Sequence, residues 1–531
     1  MSASTAATGG VESSVVRTNS ARKAIAPPDT ANEVWIRRLI LAAFWVIVVA
    51  FGLPHWIWTT SVYRAELDVG AASRWIEGKA CSFQYPIYIS VEDERPSDSI
   101  ERIEFSNALL ETLNSQNTGL YRWQAHESES TQPPAFTIKL QASSHTSATA
   151  SLDDWGSNVV VHCPRPMTEN AITNCAAVAV DSVLAATSNE RAAIAHVLRN
   201  SAYSELVSHD AEDVAELEKR STRAFKYASS YHITFSLFSA SSAPSAWDIE
   251  HALQQYLNPL LDSLSSISNF TVDTQVQLLS SFSPSMEGPH YNEDMQAWTL
   301  SRTDLSGFIN AAEWPLSPSI DSGPTINLVL YVPAADKMPL LVEDSTTNSW
   351  VIPQWGGVQI LNRAETSELT AAELEPIMYA FADQLTALVG LPRQPASLRL
   401  RINALTRERI AALIVSASDT LGALVRLTQK LEQIAIPQSV AQAVSSSVSD
   451  LEMACHNLEA GRYEDALTHA RLADEAVEKA FFEPSMVGQV YFPDEHKVAV
   501  YVPLLGPMAV PLLMATIKEI RDFRQRKVKV N

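Results

Sequence analysis

The sequence predicts an α/β domain with a mixed sheet and helices, joined to a helical stalk and placed between two transmembrane helices. Three observations support this fold class. Two apolar runs of 20 residues without a charged side chain lie near the two ends of the 531-residue chain. Between them, alternating apolar residues typical of strands interleave with helical patterns over residues 80–400, and after Ala404 the pattern is helical throughout.

The run at residues 498–517 is the clearest of these features. It lies between Lys497 and Lys518, and a helix that rises about 1.5 Å per residue would carry it across a hydrocarbon core of about 30 Å. A buried core helix is the alternative, but such helices are usually shorter and rarely uncharged on every side. We therefore predict a transmembrane helix at residues 498–517.

The run at residues 39–58 follows Arg37 and Arg38 and ends near Trp56 and Trp58. A cleaved signal peptide would have a shorter apolar core and would not follow a polar lead of 38 residues. Tryptophans at the end of an apolar run are typical of the membrane interface. We predict an uncleaved anchor, with a transmembrane helix over residues 37–60.

The formal net charge of −21 is divided unevenly along the chain. Residues 1–38 carry +2 and residues 518–531 carry +4, which leaves −27 for the residues between them. Basic flanks are typical of the cytosolic side of a membrane, so both termini are predicted to be cytosolic and the acidic middle to lie on the far side. The acidic middle also argues against a nucleic-acid partner, whose phosphates it would repel.

The predicted stalk begins with one helix of about 30 residues, which Pro437 ends. A second helix extends to Gly461, and a third from Tyr463 to about Phe482 is stopped by Pro484. Short connectors predict antiparallel packing of these helices. The whole division is a disordered tail at 1–36, a transmembrane helix at 37–60, the α/β domain at 61–404, the helical stalk at 405–484, a membrane-proximal segment at 485–497, a transmembrane helix at 498–517 and a basic tail at 518–531.

Four cysteines, Cys81, Cys163, Cys175 and Cys455, all lie between the two predicted spans. Cys163 and Cys175 are close enough in sequence to form a disulfide in an oxidising lumen, and two buried free thiols are the alternative. The sequence leaves both interpretations open.

One Asn-x-Thr glycosylation sequon occurs in the chain, at Asn269. Polar and apolar residues alternate from this position to Leu278, so a strand would turn Asn269 to its polar, solvated face. We predict that Asn269 carries a glycan.

Motifs typical of enzyme active sites are missing from the sequence. It has no Gly-x-Ser-x-Gly elbow, no His-Glu-x-x-His motif, no phosphate-binding loop and no Asp-x-Asp pair. His162 and Cys163 are adjacent, but neighbours on a strand point to opposite faces, which argues against a catalytic dyad. The sequence therefore predicts no catalytic residue, no cofactor and no metal site.

Short motifs occur in a fixed order between and within the predicted spans, and together they resemble the PIG-S family, a subunit of the glycosylphosphatidylinositol (GPI) transamidase. Each motif is weak alone, whereas the ordered set is specific. The motifs are Gly52-Leu-Pro54, Tyr63-Arg-Ala65, Leu328-Val-Leu-Tyr-Val-Pro333, Trp355-Gly-Gly357, Thr420-Leu-Gly-Ala-Leu424, Glu478-Lys-Ala-Phe-Phe-Glu-Pro-Ser485, Tyr491-Phe-Pro493, Pro503-Leu504, Gly506-Pro507 and Val510-Pro-Leu-Leu513.

The resemblance implies a non-catalytic subunit of a complex in the endoplasmic reticulum membrane, which attaches GPI anchors to proproteins. In that family the nucleophilic cysteine belongs to another subunit, PIG-K, and the further partners resemble PIG-T, PIG-U and the GPI-anchor-attachment protein. Two alternatives from other classes are a membrane-anchored lumenal hydrolase and a free-standing tether without stable partners.

Three prolines in the second predicted span recur every four residues, so in a helix Pro503, Pro507 and Pro511 share one face. Each proline lacks the N–H that would bond a carbonyl one turn earlier, and lipid offers no other donor. Gly506 is small enough to let another helix approach closely. We therefore expect this face to contact a partner helix or the GPI lipid.

Overall fold

The computed structural model describes residues 30–60, 63–93, 100–116, 119–127, 133–143, 147–165, 167–206, 214–280, 288–301, 305, 323–343, 348–363, 366–431, 434–486 and 494–528. The chain forms two compact units. The helix-pair unit comprises Met1–Val62 and Gln489–Asn531, and the body comprises Tyr63–Gly488. Residues 1–29 of the predicted tail, 487–493 of the membrane-proximal segment and 529–531 lie outside the described residues.

Helices form most of the described part of the helix-pair unit and much of the body. In chain order they are α1 (Ala31–Ile47), α2 (Leu53–Thr60), α3 (Val69–Ile76), α4 (Ile100–Ser115), α5 (Glu169–Arg199), α6 (Val214–Arg223), α7 (Ile249–Ala252), α8 (Asn258–Leu264), α9 (Ala371–Val389), α10 (Leu398–Lys430), α11 (Gln438–Glu459), α12 (Tyr463–Phe481) and α13 (Asp494–Val528). Two π-helical turns, Val48–Gly52 and Leu253–Leu257, make α1–α2 and α7–α8 continuous.

The strands all belong to the body. They are β1 (Tyr85–Asp93), β2 (Tyr121–Ala125), β3 (Phe136–Ser143), β4 (Thr149–Leu152), β5 (Asn158–Pro164), β6 (Ser230–Ser239), β7 (Ala246–Trp247), β8 (Asn269–Gln277), β9 (His290–Asn292), β10 (Ala297–Leu300), β11 (Thr325–Val332), β12 (Leu340–Val342), β13 (Ser349–Ile352), β14 (Gly356–Ile360) and β15 (Glu368–Leu369). The predicted mixed α/β class is confirmed.

The two larger sheets of the body share one strand order. The first sheet is ordered β2-β1-β3-β5-β4 and the second β8-β6-β11-β14-β13. When the five strands of each sheet are numbered along the chain, both orders read 2-1-3-5-4. In both sheets the fourth strand is antiparallel to the fifth and the remaining pairs are parallel. The body therefore contains two copies of one β/α arrangement.

Helices cover one face of each sheet. In the first sheet, α4 links the first two strands and α5 follows the last, and apolar side chains such as Ile89, Ile138 and Val161 are buried on the helical side. In the second sheet the corresponding helices are α7–α8 and α9, which pack on residues such as Phe235 and Leu328. Parallel strands joined by helical crossovers place their helices on a face of the sheet in this way.

The other face of the second sheet is covered by a small three-stranded sheet, ordered β12-β10-β9. Leu300 and Leu340 from the small sheet pack on Val329, Tyr331 and Val358. Because both faces of β6 and β11 are covered, these strands are buried along almost their whole length. The sequence of β11 is accordingly a nearly continuous apolar run.

The three helices predicted as a stalk are α10, α11 and α12, and they pack into the body. They share one hydrophobic core with the first sheet, α4 and α5, so a stalk that stands apart from an α/β domain is not confirmed. The boundary predicted at residue 404 falls inside α10, which begins at Leu398 after the cap residue Ser397. Helix α10 continues across that boundary because Leu400 and Leu405 are both buried, each in a different core.

Pro353, Gln354 and Trp355 form a turn between β13 and β14, and Gly356 and Gly357 begin β14. A Cβ on Gly356 would overlap the carbonyl oxygen of Asn327 on β11, and one on Gly357 would overlap the side chain of Gln384 on α9. The Gln384 amide donates to the carbonyl oxygens of Trp350 (3.2 Å) and Val358 (2.9 Å). The two glycines therefore allow close approach of strand to strand and of helix to sheet.

Three helices of the described residues are long and apolar enough to span a membrane by length and composition: Asn32–His55, Glu169–Arg199 and Leu398–Lys430. The most apolar window of the first has none of its residues buried, whereas 39% and 56% are buried in the other two. Those two are α5 and α10, whose apolar sides form the core of the body. The second predicted span, at residues 498–517, lies inside α13.

Candidate functional site

The helix-pair unit is held together by polar contacts near the ends of its helices. Glu519 of α13 accepts hydrogen bonds from the Nε atoms of Arg37 (3.1 Å) and Arg38 (2.6 Å) of α1. Nearer the middle, the Trp45 indole donates to the Thr516 hydroxyl at 2.9 Å. Residue numbers rise along one helix as they fall along the other, so the two helices are antiparallel.

This arrangement brings the basic flank of one predicted span to the basic flank of the other. Arg37 and Arg38 precede the first apolar run, and Lys518 follows the second. The Glu519 side chain is 13% exposed and lies between the two arginines, where it offsets part of their mutual repulsion. Both flanks therefore lie at the same end of the helix pair.

The three prolines of α13 lie away from α1. Pro503, Pro507 and Pro511 are exposed, and at 3.6 residues per turn they lie roughly opposite Thr516 on the helix. Gly506 is half-buried, and a Cβ added to it would meet nothing within 4 Å. This proline surface, defined by these three prolines and Gly506, faces away from the contact with α1.

Asn269 begins β8, which pairs with β6 at one edge of the second sheet. Its side chain is exposed and shares a face with Thr271 and Asp273. His232 on β6 contacts both of these residues, with its ring nitrogens 2.9 Å from the Thr271 hydroxyl and 3.1 Å from the Asp273 carboxylate. The strand and the polar face predicted around the sequon are therefore present.

The four cysteines are joined in two pairs. Cys163, on β5, is joined to Cys175, on α5, with their Cα atoms 6.0 Å apart. Cys81, just before β1, is joined to Cys455, on α11, with Cα atoms 5.8 Å apart. The sequence analysis missed the second pair, which links positions 374 residues apart. An even number of cysteines on one side of a membrane was the one available signal.

A cluster with metal-ligand residue types occurs beside the second pair. Within the described ranges, the ligand atoms of Cys81, Cys455 and Glu459 all lie within 4.8 Å of one another. Metal binding by cysteine requires thiolates, and the two sulfurs are joined to each other here. These residues therefore fit a covalent cross-link better than a metal site.

A buried ion pair joins α5 to α10 beside the first sheet. Arg407 donates to both carboxylate oxygens of Glu190, at 2.5 and 2.8 Å, and the two side chains are 6% and 4% exposed. Burial acts to lower the pKa of Arg407, but the Glu190 carboxylate outweighs it and raises that pKa. The guanidinium also lies over the ring of Tyr463, 5.3 Å from its centroid. The pair is charged, bidentate and enclosed, which makes it a structural link.

Two cavities lie among the helices of the body. The first, of about 440 Å³, is lined by residues that include His196, Lys226, Ser416 and Asp474. Burial raises the pKa of Asp474, whose Oδ1 atom has no hydrogen-bond partner among the described residues. The second, of about 430 Å³, lies beside the first sheet and includes Tyr88. Both are large enough to accept a side chain of a partner or a small molecule.

The sequence model of one protein family, described as "Phosphatidylinositol-glycan biosynthesis class S protein", matches residues 43–526. The match includes α13 and most of α1–α2 and extends through the whole body. The chain belongs to the PIG-S family. The resemblance seen in the ordered motifs is thereby confirmed.

Individual relatives are similar to the chain to different extents. The "GPI transamidase component PIG-S homolog" of Schizosaccharomyces pombe is 33% identical over 326 residues, which cover 58% of this chain and 56% of the relative. The "GPI-anchor transamidase component PIGS" of Rattus norvegicus is 31% identical over 341 residues, covering 59% and 60%. The "GPI transamidase component GPI17" of Saccharomyces cerevisiae is 26% identical over 539 aligned residues, covering 93% and 94%. The chain thus matches somewhat over half the length of the first two.

Proposed function

We propose that the chain is a non-catalytic subunit of the GPI transamidase, the complex that attaches GPI anchors to proproteins at the endoplasmic reticulum membrane. The observation that carries this proposal is the family match over residues 43–526. It is supported by relatives whose names describe them as GPI transamidase components. The partners would resemble PIG-K, PIG-T, PIG-U and the GPI-anchor-attachment protein.

The proposed topology has two spans, with both termini in the cytosol and the body in the lumen. The antiparallel helix pair supports it, because Arg37, Arg38 and Lys518 lie at the same end and basic flanks favour the cytosolic side. The paired cysteines of the body suit an oxidising compartment. The exposed Asn269 at the start of β8 suits a glycan.

The non-catalytic role is supported by the state of the side chains that could act as nucleophiles. All four cysteines are paired, so none offers a thiolate. In the proposed complex the nucleophile would belong to the subunit that resembles PIG-K. This chain would contact other subunits through its two spans and its body. The first cavity, with His196, Ser416 and Asp474 in its lining, is the feature that favours a lumenal hydrolase as the second candidate.

Purification of the full-length chain separates these candidates. The tagged chain is extracted from membranes in mild detergent, and the co-purifying proteins are identified by mass spectrometry. The proposal expects stable recovery of the other transamidase subunits and no turnover of ester or amide reporters by the chain alone. Turnover by the chain alone that is lost in Asp474→Asn would favour the hydrolase, and a chain recovered without partners would favour a tether.

The proline surface of α13 is the proposed membrane contact of this subunit. It faces away from α1 and includes Gly506, beside which the described structure has open space, so a partner helix or the GPI lipid could approach it. The triple variant Pro503→Leu, Pro507→Leu and Pro511→Leu should reduce both co-purification and GPI transfer to a reporter. The control Met508→Leu with Ile520→Leu changes exposed positions of α13 that lie outside the proline surface and should leave both unchanged. Wild-type values for the proline variant would contradict this contact.

A further inference from the structure

The face of the first sheet opposite α4 and α5 carries polar side chains. Its central members are Ser90 and Glu92 on β1, Thr137, Lys139 and Gln141 on β3, and Val160 and His162 on β5, and all are half-buried or exposed. These seven residues define the open face, and Val160 is its one apolar member. Side chains under a second packed layer would be buried. None of these side chains is buried, so none of the described residues forms a packed layer over this part of the face.

The register of the strands makes this face continuous. Ser90 lies beside Thr137 and Glu92 beside Lys139 in the β1–β3 ladder. Gln141 lies beside His162 in the β3–β5 ladder. Hydroxyl, amide and charged groups therefore form one surface across the three central strands.

In the second sheet, the corresponding face is covered by the small three-stranded sheet. There the small sheet packs its apolar side chains on Val329, Tyr331 and Val358. Its strands β9 and β10 come from the link between the second and third strands of the second sheet, and β12 from the link between the third and fourth. The corresponding links of the first sheet, residues 126–135 and 144–148, are too short to supply such a layer.

Parallel sheets are almost always covered on both faces in folded proteins. The first sheet has four parallel strands, and its open face is too polar to be covered by lipid. The face and its β2 edge carry the cations Arg122 and Lys139 against one carboxylate, Glu92, although residues 39–517 have a net charge of −27. A surface with an excess of positive charge selects a partner with an acidic surface.

We propose that the open face is a docking surface for a hydrophilic, acidic surface of another protein subunit. The inference rests on the proposed function, because it requires that the chain works within a complex. The Tyr88 wall of the second cavity is continuous with this face along β1, so a side chain of the partner can enter the cavity at the rim of the interface. In the second sheet, this chain itself covers the face opposite the helices. In the first sheet, the partner would cover that face.

The test compares two charge reversals of equal size in the full-length, tagged chain. Arg122→Glu with Lys139→Glu changes the open face, and Lys219→Glu with Lys479→Glu changes exposed lysines on α6 and α12. Recovery of other transamidase subunits with the face variant should fall about tenfold, since charged pairs at the centre of an interface contribute strongly to affinity. The control variant should recover them at the wild-type level.

A second measurement distinguishes loss of docking from misfolding of the face variant. A photo-crosslinking residue is placed at Thr149, on the β4 edge of the open face, or at Lys219, in the otherwise wild-type chain. Crosslinks from position 149 to another subunit, with none from position 219, support the inference. Wild-type recovery with the face variant, or crosslinks from position 149 only to lipid or to a second copy of this chain, would overturn it. If the wild-type chain itself recovers no subunits, it is the proposed function that fails.

Discussion

The first and second sheets of the body place their strands in the same order, yet they are enclosed by different means. The central strands of the second sheet, β6 and β11, are buried on both faces, between α7–α9 on one side and the small sheet on the other. The first sheet has helices on one face and polar, half-buried residues on the other. Both cysteine pairs and the Glu190–Arg407 ion pair lie at the first sheet or its helices, while the second sheet has no cysteine.

The comparison suggests that one strand order can support either a sheet buried within the chain or, as we propose, a sheet with one face left for a partner. Covering both faces of a parallel sheet maximises the apolar area removed from water, which is the main source of stability. A sheet that leaves one face for a partner gives up part of that burial. In the first sheet, cross-links and a buried ion pair restrain the neighbouring helices instead. The comparison therefore predicts that the two sheets respond differently to substitution.

The largest expected effect is at the buried ion pair. Arg407→Met leaves Glu190 buried without a cation, so the free energy of unfolding should fall by about 3–5 kcal/mol. Urea unfolding of the purified full-length chain, followed by tryptophan fluorescence, measures it. Arg399→Met makes the same change at an exposed position of α10 and should have little effect. Combining Arg407→Met with Glu190→Met should recover most of the loss, and a double variant as unstable as the single one would contradict this account.

The helices that share the core of the first sheet come next. Leu421 and Leu424 of α10 are fully buried in that core. Leu421→Ala and Leu424→Ala should each lower the free energy of unfolding by about 2–5 kcal/mol. Leu431→Ala, at an exposed position just after α10, is the control. An unchanged thermal midpoint for the first two variants would show that this side of α10 is not core.

The two faces opposite the helices give the sharpest contrast between the sheets. Leu340→Ala removes a fully buried side chain from the layer over the second sheet and should cost about 2–5 kcal/mol. Lys139→Ala, on the open face of the first sheet, should change the free energy of unfolding by less than about 0.5 kcal/mol. Equal losses in the same unfolding experiment would mean that both faces are packed in the isolated chain.

The cysteine pairs should affect stability and leave the chemistry of the complex intact. We expect Cys81→Ser and Cys163→Ser each to lower the free energy of unfolding by about 2–4 kcal/mol, with the larger loss for Cys81 because its pair closes the longer loop. GPI transfer per assembled complex should stay near the wild-type value for both. A variant that assembles normally and loses all transfer would show that a cysteine of this chain takes part in catalysis.

The smallest expected change is one glycan at the edge of the second sheet. Asn269 is exposed, so the wild-type chain should gain mobility on a gel after endoglycosidase treatment, and Asn269→Gln should not. Stability should differ little between them, since an exposed substitution is usually within about 0.5 kcal/mol. Identical mobility before and after treatment of the wild type would show that the sequon is unused.

Local patterns were sufficient to predict much of the fold. Alternation over residues 80–400 predicted that this part of the chain contains strands, and Pro437 and Gly461 marked the limits of α11. The register around Asn269 also followed from alternation alone, because a strand has only two faces. The repeated strand order could not be predicted, since it depends on which strands pair and not on where they occur.

The features missed at the candidate sites all join residues that are distant in sequence. Cys81 and Cys455 are 374 residues apart, and Arg37 and Glu519 are 482 apart. No periodicity connects such positions, because a local pattern specifies only which face of an element is apolar.

The measurement that tests the proposed role most directly is GPI transfer in membranes depleted of this chain. Transfer of GPI to a reporter proprotein is followed in depleted membranes, in membranes resupplied with the wild-type chain, and with the purified chain alone. The account predicts that transfer falls on depletion, returns with the wild-type chain, and does not occur with the chain alone. Undiminished transfer after complete depletion, or transfer by the isolated chain, would contradict its role as a non-catalytic subunit.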